Sequence, residues 1–314
     1  MPDLLLIGDA TEEMLEKAQQ AFTIHRAADM GDLSKWLAEN GDAITHVLTN
    51  GHDGVPPAIM AGLPKLQMIS CYGVGYDAID ANEAARRGVV VTHTPDVLNA
   101  EVASTAILLM LACFREFLRD EAHARSGEWE VHGNAPLTRS LDNRTIGFLG
   151  MGRIGQEIAK KLAPWNPKVL YHTRGSKDVS YQYVGDLVDM ARRSDVLICI
   201  TPGGSATRHL VNTEVFNALG PNGTLINVSR GSVVDEAAMI EALENGCLGW
   251  AGLDVFESEP HIPERLRKLK NVVLLPHVGS ATVETRAAMG DLTVDNLLQH
   301  LGNGTVLTPV PECQ

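Results

Sequence analysis

Arg230, Glu259 and His277 each stand just past a short apolar run in the second half of this chain. Arg230 follows Thr224-Leu225-Ile226-Asn227-Val228-Ser229, Glu259 lies in the loop after Trp250 to Val255, and His277 follows Val272-Val273-Leu274-Leu275-Pro276. If those runs are neighbouring parallel strands, all three residues face the crevice beyond the carboxyl ends, where open α/β sheets bind ligands. Their chemistry is complementary. Arginine's planar fork matches a carboxylate and stays charged at any working pH. Histidine exchanges a proton near neutrality, and a neighbouring glutamate favours the charged form. A carboxylate clamp with an ion-paired acid is what reduction of a 2-keto acid requires, once a hydride donor is at hand. Singly, each residue is a weak signal, since the chain holds 11 histidines and a lone Arg or Glu reads as surface charge. Their placement after successive strands is what distinguishes them.

The hydride donor has a cradle. Gly150-Met151-Gly152-Arg153-Ile154-Gly155 follows the apolar run Thr145 to Leu149 and opens a helical pattern, Gln156 to Leu162. In that strand–turn–helix setting G-x-G-x-x-G binds a dinucleotide pyrophosphate. The first glycine permits the tight turn, the second admits the phosphate, and the third lets helix pack on strand. The helix N-terminus adds N–H donors and a positive dipole end. After the next strand, Lys168 to His172, an NAD-binding unit places Asp or Glu on the ribose 2′-OH. Thr173-Arg174 stand there instead. A hydroxyl and a cation suit a 2′-phosphate, so NADP(H) is the expected preferred cofactor and NAD(H) the alternative.

The elements that must hold these groups are legible as alternating apolar runs and helical patterns, the signature of a parallel α/β architecture. Six strands are expected from the centre onward: Thr145–Leu149, Lys168–His172, Val196–Thr201, Thr224–Val228, Trp250–Val255 and Val272–Leu275. That number completes a doubly wound dinucleotide-binding (Rossmann) sheet. The first hundred residues carry their own strands, Leu4–Gly8, Thr45–Thr49, Leu66–Ser70 and Val89–Thr92, with helical spacing over Glu12–Phe22 and Asp77–Arg87. They read as a second, smaller α/β domain. Asn99 is placed to cap a long helix running to about Ala124, apolar on all sides from Ala106 to Phe114 and therefore enclosed by a domain or a subunit. A helix from Val283 to about Leu301 precedes a tail, Thr305 to Val310, that should return to the first domain. The expected division is 1–98 with 284–314 for the substrate domain and 99–283 for the dinucleotide-binding domain. Two crossings would leave a cleft and hinge between them.

Composition bounds the function. Lys and Arg total 26 against 39 Asp and Glu, a net charge of 26 − 39 = −13, which argues against nucleic acid or an anionic membrane as partner. The five cysteines are scattered, with no C-x-x-C pair and no zinc-like spacing, so thiols in a reducing, cytoplasmic compartment are expected and no metal. The longest strongly apolar run, Ala106 to Phe114, is too short to span a bilayer, and the N-terminus lacks a signal-peptide pattern.

The whole set resembles the D-isomer-specific 2-hydroxyacid dehydrogenase family, within it the glyoxylate/hydroxypyruvate and hydroxyphenylpyruvate reductases. The resemblance rests on Tyr72-Gly73-Val74-Gly75-Tyr76-Asp77, Thr94-Pro95-Asp96-Val97-Leu98, the glycine fingerprint, Asn227-Val228-Ser229-Arg230-Gly231, Gly252-Leu253-Asp254-Val255-Phe256-Glu257 and Leu275-Pro276-His277-Val278-Gly279-Ser280. These run in family order over nearly the whole chain. The resemblance implies a flavodoxin-like substrate domain. It implies that Arg230 binds the carboxylate and keto oxygen, that His277 is the acid/base, and that Glu259 pairs with His277. It implies further that Val74 and Gly75 offer N–H groups to the carboxylate and that Arg153 and Ile154 meet the pyrophosphate. Thr201, Pro202, Thr207, Val228, Asp254 and Gly279 would line the ribose and nicotinamide. A homodimer, embraced through the helix from Asn99, is implied as well. One stretch departs from the family pattern: Thr201-Pro202-Gly203-Gly204-Ser205-Ala206-Thr207 is richer in glycine, which reads either as a harmless loop or as a looser cover on the nicotinamide side.

The leading expectation is therefore an NADPH-preferring reductase of small 2-keto acids, glyoxylate and hydroxypyruvate first. The alternatives are an aryl-pyruvate reductase of the same family and a non-catalytic nucleotide-sensing scaffold. A methyltransferase with a similar glycine loop is weaker still, because the Arg/Glu/His series has no use there. Tyr72, Leu98, Trp129 and His132 are candidates for the pocket wall.

Overall fold

Apolar runs of strand length, separated by helices, build two all-parallel sheets in the computed structural model, which describes residues 1–314. The chain divides into two units, Met1–Leu98 with Ala281–Gln314, and Asn99–Ser280.

The smaller unit holds β1 (Asp3–Leu6), β2 (Thr23–Arg26), β3 (Ile44–Asn50), β4 (Met68–Tyr72) and β5 (Val90–Thr92), in the order β2-β1-β3-β4-β5. That is the flavodoxin-like winding. β4 is buried along its whole length, as a parallel strand covered on both faces must be. Leu5, Val47, Ile69 and Val91 form the core with Leu37, Met60 and Leu63 from the flanking segments. β2 was not expected: Thr-Ile-His-Arg contains no apolar run, because it is an edge strand with no fully buried position. The C-terminal segment does return to this unit, where the Val310 N–H donates to Val91 O at 2.9 Å and the His93 N–H to Thr308 O at 3.2 Å. The helix Val283–Asn303 fixes that segment through Asn296 Oδ1, which accepts the N–H groups of Leu307 and Thr308 at 2.9 and 3.1 Å.

The larger unit holds β6 (Thr145–Leu149), β7 (Lys168–His172), β8 (Gln182–Tyr183), β9 (Val196–Cys199), β10 (Thr224–Asn227), β11 (Trp250–Leu253) and β12 (Val272–Leu274). Their order is β12-β11-β10-β9-β6-β7-β8, a doubly wound sheet whose winding reverses between β6 and β9. All six expected strands are present. The seventh, β8, is a two-residue exposed edge that no apolar run announces. Leu170, Leu197, Leu225 and Leu253 carry the core against Phe216 and Leu243.

The long helix is two helices, not one. Asn99–Phe114 ends where Glu116 takes φ +42°, and Phe117–Arg125 then begins. No glycine or proline marks the break. It is held by tertiary contacts: the Arg139 N–H donates to Phe114 O at 3.0 Å, and its guanidinium lies 4.3 Å over the Phe114 ring and 3.7 Å over Trp250. The first helix packs on β11 at Gly252, where a Cβ would lie 3.0 Å from that of Leu109. It is not enclosed on all sides within the chain, since Leu108 is 56% exposed.

Candidate active site

β6 delivers the chain to a turn that only glycine fits. Gly150 takes φ +106°, and a Cβ there would meet Ile200 O at 2.7 Å. A Cβ on Gly155 would lie 2.9 Å from Gly150 O, so helix Arg153–Leu162 packs directly on the turn. At Gly152, the residue capping that helix, a Cβ would meet nothing within 4 Å. Open space beside the N–H groups at a helix N-terminus is what a pyrophosphate needs, so the cradle fits a dinucleotide.

Beyond β7, Thr173 Oγ1 donates to Gly175 O at 2.6 Å, and the Tyr183 hydroxyl donates to Thr173 O at 3.3 Å. Tyr171 Oη accepts the Lys177 N–H at 2.8 Å. Thr173 thus closes the turn with its own proton, and Arg174 is left exposed as a cation at that tip, with Lys177 three residues on. Beyond β9, the glycine-rich stretch is a closed turn, since Thr207 Oγ1 donates to Pro202 O at 2.8 Å.

The carboxyl ends of β10, β11 and β12 carry the ionisable residues. Asn227, at the end of β10, accepts the Ser229 N–H at 3.1 Å and donates from Nδ2 to Arg230 O at 3.0 Å, wrapping the turn that presents Arg230. The next residue cannot carry a side chain, because a Cβ on Gly231 would lie 1.9 Å from the carbonyl carbon of Phe256. The Arg230 turn and the loop after β11 are therefore in direct backbone contact. From that loop Glu259 Oε2 meets His277 Nδ1 at 2.7 Å, while Oε1 accepts the Phe256 N–H at 2.9 Å. The glutamate side chain is 19% exposed and the imidazole 45%. With Nδ1 engaged by the carboxylate, Nε2 is the nitrogen placed to exchange a proton with a bound molecule.

His277 adopts φ +53°, the left-handed region that a non-glycine residue enters only under constraint. The constraint is Asp254. Its carbonyl accepts the His277 N–H at 2.8 Å, its Oδ1 accepts the Val278 N–H at 2.7 Å, and its Oδ2 accepts the Gly279 N–H at 2.8 Å. Burial pushes the Asp254 carboxyl up from the usual carboxylate range, opposed by the Val278 amide, the His277 charge and the Gly279 amide. The carboxylate expected to line the nicotinamide pocket thus has both oxygens engaged in shaping the histidine turn. Asn227 is a support that the sequence reading passed over, and Asp254 was expected to line the nicotinamide, not to hold this turn. Their signal was a polar residue ending or following an otherwise apolar run.

In the smaller unit, Val74 and Gly75 follow β4. The carbonyls around them are held from within: Gly73 O accepts the Thr94 N–H at 2.9 Å, and Val74 O lies 2.9 Å from His93 Nδ1. Of the candidate wall residues, Tyr72 and Leu98 are buried. Trp129 and His132 are exposed on the short helix Glu128–His132, the latter paired with Glu128 at 2.6 Å.

A dinucleotide cradle on β6, with an imidazole–carboxylate pair and an arginine past β10 to β12, is the apparatus of a nicotinamide-dependent oxidoreductase. Comparison with known proteins narrows the class. The profile of the D-isomer specific 2-hydroxyacid dehydrogenase NAD binding domain matches residues 107–279. The chain is 41% identical over 98% of both lengths to glyoxylate/hydroxypyruvate reductase A of Arabidopsis thaliana, and 43% identical over the same share to hydroxyphenylpyruvate reductase of Plectranthus scutellarioides. The crystal structure of NADPH-dependent glyoxylate/hydroxypyruvate reductase from Sinorhizobium meliloti, in complex with NADP and malonate, superposes with a TM-score of 0.94 at 44% identity, covering 99% of this chain and 97% of that one. The chain belongs to the D-isomer-specific 2-hydroxyacid dehydrogenase family and is an NAD(P)-dependent enzyme.

Proposed function

We propose that this enzyme is an NADPH-preferring reductase of small 2-keto acids, converting glyoxylate to glycolate and hydroxypyruvate to D-glycerate. The observation that carries the reading is the 2.7 Å contact of Glu259 with His277 Nδ1, on loops neighbouring the Arg230 turn. When bound, the reduced nicotinamide supplies a hydride to the keto carbon. Arg230 clamps the carboxylate and polarises the keto oxygen. His277 donates the Nε2 proton to that oxygen as negative charge develops, and Glu259 holds the ring in place and stabilises the imidazolium. The N–H groups of Val74 and Gly75 are further donors for the carboxylate. Arg153 and Ile154 hold the pyrophosphate behind Gly150, Gly152 and Gly155. Thr201, Pro202, Thr207, Val228 and Gly279 border the ribose and nicotinamide, and Asp254 acts there through the turn it shapes. The exposed Arg174 beyond β7, where an NAD-specific unit carries an acid, supports the preference for NADPH.

A panel of glyoxylate, hydroxypyruvate, 2-ketogluconate and hydroxyphenylpyruvate, assayed with NADPH and NADH side by side, tests the reading. Turnover of the two small acids with NADPH is the expected result. Preference for the aryl acid would favour the second reading, which the likeness to the Plectranthus enzyme supports, and no turnover of any acid would refute both.

The enzyme is further proposed to be a cytoplasmic homodimer. Leu108, Phe117, Leu118, Trp129, Val131 and Leu137 are each more than half exposed along one stretch of chain, an apolar surface that a partner copy would cover. All five cysteines are free thiols, which suits a reducing compartment. Sedimentation of the wild type and of Leu118→Glu should give a dimer and a weakened dimer; a monomeric wild type refutes the assembly. No helix is long and apolar enough to cross a membrane.

A further inference from the structure

Glu257 stands two residues before Glu259 and belongs to neither the acid–base pair nor the cradle. Its carboxylate accepts from Arg208 Nη2 at 2.7 Å and meets His209 Nε2 at 2.8 Å. Its backbone N–H donates to Glu236 Oε2 at 3.2 Å, from the helix Glu236–Glu244. Gly231 presses on it from the Arg230 turn, where a Cβ would lie 2.4 Å from Glu257 N. The residue is thus held by three segments of the larger unit. His209 is itself fixed. Its N–H donates to Ser232 O at 2.9 Å, its Nδ1 lies 4.0 Å from Asp235 Oδ2, and its backbone sits at φ +52°, strained for a non-glycine residue.

The next link is one peptide away. The Phe256 N–H donates to Glu259 Oε1 at 2.9 Å, and the other oxygen of Glu259 holds His277 at 2.7 Å. A continuous chain of contacts therefore runs from Arg208 and His209, in the loop after β9, through Glu257 and the Phe256 amide to Glu259 and His277. A partly buried ion pair of this kind contributes little net stability. It is well suited to fixing geometry, because the charges determine where the loop sits.

We propose that Glu257 is a positioning residue for proton transfer: gripped by Arg208 and His209, it sets the Phe256 amide that orients Glu259, and so ties the loop after β9 to the acid His277. The proposal rests on reading His277 and Glu259 as the acid–base pair, and its test separates the two. Amide hydrogen exchange needs no substrate. In Glu257→Ala the Phe256 amide should exchange about fivefold faster or more, while the Val278 and Gly279 amides, held by Asp254, stay unchanged. Glu257→Gln keeps an oxygen for His209 and should restore most of the protection. With glyoxylate, Glu257→Ala should lower kcat about tenfold and shift the NADPH Kd less than about twofold. In a Glu259→Gln background the same substitution should add less than about twofold, since the residue acts through Glu259. Unchanged exchange at Phe256, or an equal loss of kcat in both backgrounds, overturns the proposal. An inactive wild type would refute the proposed reaction and leave the exchange measurement to decide the clamp.

Discussion

Asp254→Asn removes one acceptor from the histidine turn without changing its shape. The two carboxylate oxygens accept N–H groups from Val278 at 2.7 Å and Gly279 at 2.8 Å, in a residue that is 2% exposed. An asparagine can satisfy one of these donors, but its NH2 must then face the other. One hydrogen bond to a charged acceptor is lost, worth about 1.5–3 kcal/mol. His277, immediately before Val278, is held at φ +53°, and a non-glycine residue in that region carries strain of about 1–3 kcal/mol. The two quantities are of the same size, so losing one bond lets the turn relax. Taking about 2 kcal/mol as the lost restraint, the equilibrium between the held and the relaxed turn shifts about 30-fold toward the relaxed one, which bounds the loss from this cause. The expected outcome is a kcat reduced by between about threefold and 30-fold at saturating NADPH and hydroxypyruvate, with substrate KM less affected. A melting temperature lowered by about 4–8 °C should accompany it. A kcat within twofold of wild type would refute the reasoning. A loss of NADPH affinity matching the loss of kcat would place Asp254 on the cofactor instead.

His277→Ala should lower turnover by about a hundredfold or more. Arg230→Ala should chiefly raise the KM for the keto acid, and steady-state parameters unaltered in both variants would sink the assignment. Arg174→Ala should raise the NADPH KM about tenfold, as loss of a contact to a charged phosphate does, and leave that for NADH nearly unchanged. Equal effects on the two cofactors would remove Arg174 from the 2′-phosphate. In the smaller unit, burial first and the neighbouring His300 second push His46 down to about 4, below its ordinary 6.5. The neutral ring is therefore the folded form. Its contribution to stability is intact above about pH 6.5 and declines as pH falls toward 4, by on the order of 3 kcal/mol. Urea denaturation at pH 7.5 and 4.5 should show that loss, and His46→Asn should flatten it; an unaltered acid limb in the variant would exclude His46 as its source.

The parts legible in the chain were those governed by burial. β6, β7, β9, β10 and β11 lie inside a parallel sheet and β12 closes its edge with the apolar Val-Val-Leu, so each carries an apolar run, and a charged residue beyond such a run has to face the crevice. Glu259 and His277 could therefore be placed on adjacent loops before any distance was known. Two of the four edge strands carry no such mark: Thr-Ile-His-Arg of β2 and Gln-Tyr of β8 hold no apolar run. The break at Glu116 was equally silent, because it depends on Arg139 reaching Phe114 from more than twenty residues away. Thr173 was legible as a residue type and not as a geometry. Only the 2.6 Å bond to Gly175 O reveals that its proton serves the turn.

A chain carrying a net charge of −13 has to accept an anionic cofactor and an anionic substrate at one sheet edge. The carboxylates closest to that edge are what make this difficult, since a surface charge more than about 8 Å away is largely screened at physiological salt. Each is compensated locally. Asp254 faces two backbone N–H groups, Glu257 an arginine and a histidine, and Glu259 an amide and the His277 imidazole. Hydrogen bonds of this kind cancel field at short range while fixing the loops in place. The positive end of helix Arg153–Leu162, with Arg174 and Arg230, then sets the local potential against the overall sign of the protein. The same bonds that hold His277 in a strained turn thus also make its surroundings hospitable to a carboxylate. A substitution that strips Glu257 or Glu259 of its partners should therefore weaken substrate binding and proton transfer together.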